Sequence, residues 1–376
     1  MGPLTGLKFI EMAGMGPAPF CGMLLADLGA EVITIGRKSV PTDTPAAQVL
    51  SERGKRTIAL NLKTPEGVEA VLKLCEGADA LFEGFRPGVM EKLGLGPEQC
   101  LARNPKLVFG RMTGWGQTGP LAQAAGHDIN YISLSGALHG VGRRGEKPLP
   151  PSNLVGDFGG GAMYLAFGLM CAIHEAGQSG KGQVVDVSMV EGSASLMTMM
   201  YTMFAGGGWK DDRGINLLDG GAHFYDSYET SDGKYISLGS IEPQFYQQLV
   251  ELAELDPEQF SHRSEDNWPA LAEVLEGVFK QKTRDEWCEL MEGTDVCFAP
   301  ILSMAEAPHH PHNVERGSFV TINDVEQPAP APRFSRSEAT IAHPPKHAGI
   351  DTDEVLRGCG YSDDDLSTLR EQGVLT

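Results

Sequence analysis

Two stretches of this chain bring together side chains able to move a proton: Gly126-His127-Asp128 and Gly156-Asp157-Phe158-Gly159-Gly160-Gly161. An imidazole and a carboxylate differ in resting charge, so one can hold a proton while the other is free to take one. Asp157 stands where a glycine-rich turn enters an apolar helix. Free backbone N–H groups and the positive end of the helix dipole would surround its carboxylate, and the same groups suit a developing oxyanion. Taken singly, each residue has a plainer reading, Asp157 as an N-cap and His127 as a loop histidine.

Other motifs carry less. Gly14-Met15-Gly16-Pro17-Ala18-Pro19 supplies the first two glycines of GxGxxG and a proline for the third, which reads as a tight strand-to-helix turn before it reads as a phosphate cradle. Gly36-Arg37-Lys38 ends the second strand with bases instead of the acid that binds a ribose 2′-hydroxyl. Bases there suit a ribose phosphate, either the 2′-phosphate of NADP or the 3′-phosphate of coenzyme A, or else a solvated surface pair. An NADP-dependent oxidoreductase is therefore one alternative class. A hydrolase elbow GxSxG is absent, and Ser193 and Ser195 lie in a helical pattern. Pro308-His309-His310-Pro311-His312 lacks metal-site spacing and reads as a surface loop. A methionine stripe at 197, 199, 200 and 203 reads as core before it reads as a ligand surface.

The elements that must position these residues follow from periodicity. LKFIEMA, EVITI, TIALNL, DALFEGF and LVFGRMTGW read as strands, separated by helical patterns that open at Pro17 and at Thr64-Pro65. This alternation predicts an α/β fold with a Rossmann-like parallel sheet. A helix is expected over 161–176, a strand over 183–187 and a Met-rich helix over 189–204, with a capped helix closing the chain. The predicted organisation is a large domain over 1–205, a smaller α+β domain over 206–320, and a C-terminal segment over 321–376 that returns to the large domain.

Composition narrows the function classes. The chain has 376 residues, with 30 Lys and Arg against 50 Asp and Glu, a formal charge of −20. No basic cluster is present, which argues against nucleic acid. The longest apolar run, Ala162 to Ile173, is twelve residues, short of the roughly 20 that a membrane span needs. Seven scattered cysteines without a CxxC pair fit a reducing compartment. With no export signal visible, the expectation is a cytoplasmic protein.

GLKFIEMAGMGPAPFCGMLLADLGAEV, RTIALNLK, EGFRPGVMEKLGLGP, GRMTGWGQTGP and AGHDINYISLSGAL together resemble the family III coenzyme A transferases. GDFGGGAM and LGSIEPQFY resemble the α-methylacyl-CoA racemase branch of that family. The resemblance implies a homodimer of interlocked chains acting on acyl-CoA without a cofactor. It assigns His127, Asp157 and Glu242 to catalysis, and Arg37, Ala59, Arg86, Tyr131 and Gly126 to the substrate and its coenzyme A moiety. It implies racemisation at the α-carbon or, as the alternative, CoA transfer through an acylated Asp157. Against the transferase, Leu218-Asp219-Gly220-Gly221-Ala222-His223 stands where transferases usually carry a four-glycine loop.

Overall fold

Phe9 and Ile10 are neighbours on one strand, point to opposite faces, and are both fully buried. Strands buried on both faces are what a parallel sheet covered by helices requires. The computed structural model, which describes residues 1–37 and 49–375, contains that sheet. Its strands are β1 (Lys8–Met12), β2 (Glu31–Gly36), β3 (Arg56–Ala59), β4 (Ala80–Glu83), β5 (Val108–Thr113) and β6 (Val184–Ser188), in the order β3-β2-β1-β4-β5-β6. All five pairings are parallel. Every strand expected from the sequence up to Thr113 is present.

The helices of this part are α1 (Pro17–Asp27), α2 (Pro65–Cys75), α3 (Val89–Lys92), α4 (Pro97–Arg103), α5 (Asp128–Leu134), α6 (Tyr164–Ser179) and α7 (Met189–Leu196). Phe9, Val32, Phe82 and Val108 pack on one face of the sheet with Leu25 of α1 and Leu165 and Leu169 of α6. Ile10, Ile33, Ile58 and Phe109 pack on the other with Val71 and Leu74 of α2. The sheet order reverses between β1 and β4. In such sheets the loops at the carboxyl ends part there, and a crevice for ligand opens.

The helix expected to start at residue 161 starts earlier. A π-helical segment, Leu154–Met163, runs directly into α6. The combined run Leu154–Ser179 is 26 residues long and contains an 18-residue window of mean hydropathy 1.4, which makes it the one helix among the described residues long and apolar enough to cross a membrane; 33% of that window is buried in the protein. It exceeds the twelve-residue apolar run because the helix continues through Asp157 and the glycines on one side and His174 and Glu175 on the other.

By its internal contacts the chain forms two units, one of residues 1–135, 152–196 and 317–376, the other of 136–151 and 197–316. The second unit holds α8 (Thr198–Ala205), β7 (Ser227–Glu229), β8 (Tyr235–Leu238), α9 (Pro243–Leu252), α10 (Trp268–Phe279), α11 (Arg284–Met291), β9 (Phe298–Ile301) and α12 (Pro311–Arg316). Its three strands form an antiparallel sheet, β7-β8-β9. The Met-rich helix expected over 189–204 is broken at Met197 into α7 and α8. The core reading of the methionine stripe fails, since α8 buries no residue and Met199 is 52% exposed. Met197 and Met200 instead line a recess of about 340 Å³ with Tyr201, Phe204 and Trp209.

The chain then returns to the first unit through β10 (Phe319–Ile322), β11 (Val325–Pro328), α13 (Thr352–Gly358) and α14 (Asp363–Glu371). This segment covers the edge strand β3: the Thr57 N–H donates to Asp351 and the Ala59 N–H to Thr352 Oγ1, at 2.9 and 3.0 Å. Arg53, 3% exposed, clamps the return by donating to Asp27, Gln327 Oε1 and the Pro328 carbonyl. The last helix is capped, as expected, and the structure shows the cap to be Ser362, whose Oγ accepts from the Asp365 N–H while Asp365 accepts from the Ser362 N–H.

Candidate active site

Within the first unit the candidate residues gather at the carboxyl ends of the parallel strands. The turn after β1 is tight because Gly16, the residue before α1, has φ 74 and ψ −119, a conformation that L side chains avoid. Pro17 and Pro19 occupy the first and third positions of α1 and lack N–H groups. The turn therefore has few donors for a phosphate, which weakens the dinucleotide reading and with it the NADP alternative. What lies over the turn is a carboxylate: a Cβ on Gly16 would stand 3.7 Å from Asp157 Oδ2.

Asp157 sits in the first turn of the π-helical segment, so the N-cap reading is corrected. Its N–H is not free for an oxyanion either, because it donates to Asp128 Oδ1 at 2.7 Å. Asn153 Nδ2 donates to Asp157 Oδ2 at 3.1 Å, and Phe158 packs against Phe20 of α1 with ring centroids 4.7 Å apart. Burial raises the Asp157 carboxyl above its usual range. Asn153 opposes the rise, the negative charge of Asp128 adds to it, and the positive charge of His127 opposes it. His127, 30 residues away in sequence, is thus among the groups that act on the Asp157 carboxyl.

His127 precedes α5 and is exposed. Its backbone is fixed: its N–H donates to Asn130 Oδ1 at 3.0 Å and its carbonyl accepts from the Asn130 N–H at 2.8 Å. The loop leading to it is clamped by two aromatic residues. Trp115 Nε1 donates to the Ala124 carbonyl at 3.2 Å, the Tyr131 hydroxyl donates to the Gly126 carbonyl, and the two rings meet edge to face at 4.9 Å. Burial raises the Tyr131 hydroxyl; Asp157 adds to this, Arg86 opposes it and Asp128 adds. Gly126 and Tyr131 are thus tied by a hydrogen bond, and Asp157 is tied to Asp128, the residue after His127.

Arg86 follows β4 in a loop held by a network the sequence did not disclose. Glu83, fully buried, accepts from the Phe85 N–H at 2.6 Å and from Arg111 Nε at 3.1 Å, while Arg111 also donates to Glu91 at 2.7 Å. Arg37 follows β2, and like Arg86 it is exposed and makes no ion pair among the described residues. Both guanidinium groups are suited to phosphate oxygens. Lys38 lies outside the described residues. Ala59 is fully buried and its N–H is already bonded to Thr352.

Glu242 belongs to the second unit, where it is exposed and precedes α9; its carbonyl accepts from the Phe245 and Tyr246 N–H groups at 3.1 and 3.0 Å. The corner before it is pinned by Ser240, whose N–H donates to the Phe224 carbonyl at 2.9 Å and whose hydroxyl donates to the Val296 carbonyl at 2.5 Å. The histidine tract is not the surface loop expected: Pro308 is buried in a short 3₁₀ helix over Ala307–His309, Pro311 and His312 open α12, and His310 Nε2 lies 2.7 Å from Glu292 Oε1. Among the described residues no three His, Cys, Asp or Glu side chains are placed to hold a metal ion.

A parallel central sheet covered by helices on both faces defines the class as an α/β fold. Residues 4–352 match the model of CoA-transferase family III. The chain is 45% identical to mouse (Mus musculus) α-methylacyl-CoA racemase over 375 residues, 99% of this chain and 97% of that one. It is 41% identical to the human (Homo sapiens) α-methylacyl-CoA racemase over 376 residues, with the same coverage. The crystal structure of a CAIB/BAIF family protein from Brucella suis superposes with a TM-score of 0.83 at 25% identity, covering 95% of this chain and 99% of that one. The chain belongs to CoA-transferase family III.

Proposed function

We propose that this protein is an α-methylacyl-CoA racemase, interconverting the R and S forms of 2-methylacyl-CoA thioesters by moving the α-proton between faces. The observation that supports this reading is that the Asp157 carboxyl lies over the β1 turn while its N–H is bonded to Asp128, the residue that follows His127, so that two groups of different resting charge are tied through one hydrogen bond. One takes the α-proton, the thioester becomes a planar enolate, and the conjugate acid of the other returns a proton from the opposite side. This 1,1-proton transfer needs neither a metal nor an organic cofactor. Glu242 serves to orient His127, Arg37 and Arg86 hold phosphates of coenzyme A, Ala59 contributes to the coenzyme A contacts, and Tyr131 and Gly126 line the acyl-CoA site.

The related reading is CoA transfer between carboxylic acids through an acylated Asp157. The turn at Asp219, where transferases usually carry a four-glycine loop, favours the racemase. Its carboxylate accepts from the Gly214, Asn216 and Gly221 N–H groups at 3.0, 2.8 and 3.2 Å, closing the turn.

The homodimer is part of the same proposal. Leu134, Leu154, Met163 and Phe167 are 51% to 70% exposed on the first unit, apolar surface of the kind a partner chain covers. The cytoplasmic location is likewise proposed, supported by cysteines that are all free.

The test is incubation with one enantiomer of a 2-methylacyl-CoA in deuterated water, with no acceptor acid. The wild type should incorporate α-deuterium and racemise. His127→Ala and Asp157→Ala should each lower racemisation about 10²- to 10⁴-fold and retain exchange with opposite enantiomers. Turnover only with an added acid, or an acyl group trapped on Asp157 by hydroxylamine, would sink the racemase reading.

A further inference from the structure

Asp128 is one of the few acidic side chains of the first unit removed from solvent at 5% exposure, and it lies beside His127 in sequence. Its Oδ1 accepts the Asp157 backbone N–H at 2.7 Å. Its Oδ2 is buried without a hydrogen-bond partner. A buried carboxylate oxygen left unpaired is costly, and such a cost is retained where another property depends on the group. The approach is also close: a Cβ on Gly156 would stand 2.5 Å from Asp128 Oδ1 and 2.9 Å from its Cγ. Glycine at 156 is what lets the π-helical segment reach the carboxylate.

We propose that Asp128 is a positioning residue for the proton transfer, its carboxylate fixing the spacing between His127, to which it is joined by a peptide bond, and Asp157, whose main chain it holds. The proposal rests on the racemase reading. The Asp128 carboxylate acts through the Asp157 main chain and sets the register of α5 against the helix that carries Asp157. A displacement of about 1 Å between reacting groups lowers rate about 10²-fold, so one hydrogen bond at this joint has leverage on turnover. Asp128 makes no ion pair with Arg37 or Arg86 among the described residues, so turnover should change more than substrate binding.

The test uses the full chain with Asp128→Ala, Asp128→Asn and Gly156→Ala. Asn keeps the acceptor oxygen, Ala removes it, and the Gly156 substitution displaces the carboxylate from the other side. Turnover should fall about 10²-fold in Asp128→Ala and in Gly156→Ala, with KM changed less than about threefold and thermal midpoints near that of the wild type. Asp128→Asn should recover at least about tenfold of the loss in Asp128→Ala. Hydrogen exchange of the peptide spanning 152–163 should be faster in Asp128→Ala and Gly156→Ala and near normal in Asp128→Asn. Unchanged exchange in that peptide, or turnover that tracks thermal stability alone, would overturn the proposal. A wild type that neither exchanges nor racemises would instead remove the racemase reading, and the peptide measurement would still judge the joint.

Discussion

The interiors of the two units are built from different chemistry. In the first, charges are buried in pairs: Lys55 and Glu11 are both fully buried and 2.8 Å apart, and Arg53 holds Asp27 at 2.6 Å. Arg111 and Glu83 form a third pair at 3.1 Å. In the second, the core is aromatic, with Phe224, Tyr228, Tyr246, Phe260, Trp268, Phe279 and Trp287 in one cluster. Its buried polar groups include His223, bonded through Nε2 to the Tyr246 hydroxyl at 2.7 Å, and Arg284, whose partner Glu306 is partly exposed. The difference follows from what each core must hold in place. Parallel strands release their loops at one end, where Arg86 and Asp157 stand, and fixed loops need directional polar contacts behind them. Aromatic packing supplies bulk and rigidity without a direction for each loop.

Buried pairs and apolar packing respond differently to losing one member, which is where the contrast is easiest to break. Lys55→Met leaves Glu11 buried without a counter-charge and should cost about 3–5 kcal/mol in denaturant unfolding. Adding Glu11→Leu should return most of that loss, since well-packed apolar groups replace such pairs at little cost. Trp287→Ala should also cost about 3–5 kcal/mol, and no neighbouring substitution of similar size should restore it. A double variant as unstable as Lys55→Met alone would show that the pair, not the stranded charge, carries the stability.

The pH response should differ in sign. Burial raises Glu11, beside Lys55, to about 7 from 4.5. Burial likewise raises Glu83 to about 7. A carboxyl raised in the folded state contributes stability present below about 4.5 and lost as pH rises through about 7. Burial, with Arg263 adding, lowers His223 to about 4 from 6.5. That contribution is present above 6.5 and lost as pH falls through about 4. Between pH 4.5 and 6.5, rising pH should therefore loosen β1 and β4 by hydrogen exchange. Over the same range it should firm the second unit, which holds Trp209, Trp268 and Trp287 of the four tryptophans and is read by fluorescence. Parallel trends in both probes would erase the distinction.

The smallest effects should be alike in the two units, because helix caps act locally. Ser362→Ala in the first and Thr283→Ala in the second each remove a capping oxygen that accepts a backbone N–H, and each should cost about 1 kcal/mol. A much larger loss at either cap would mean that it carries tertiary weight and would sharpen the comparison at that point.

Much of this was legible before any coordinates. Strands buried on both faces read as continuous apolar runs, so β1 to β5 stood out by composition. Thr64-Pro65 marked a helix start because capping is satisfied within three residues. His127 and Asp157 were recognisable as proton-handling groups in glycine-bearing turns, and the family resemblance named them together. The tertiary structure decided everything that depends on residues distant in sequence meeting in space. It paired Lys55 with Glu11 and gave the Asp157 N–H to Asp128. It grouped residues 136–151 with 197–316, laid the C-terminal segment along β3, and left the methionine stripe exposed. The physical reason is range. Periodicity and caps are set by neighbours a few residues away, whereas burial, and with it the state of a carboxyl such as Asp157 or Glu83, depends on which elements the folded chain brings against it.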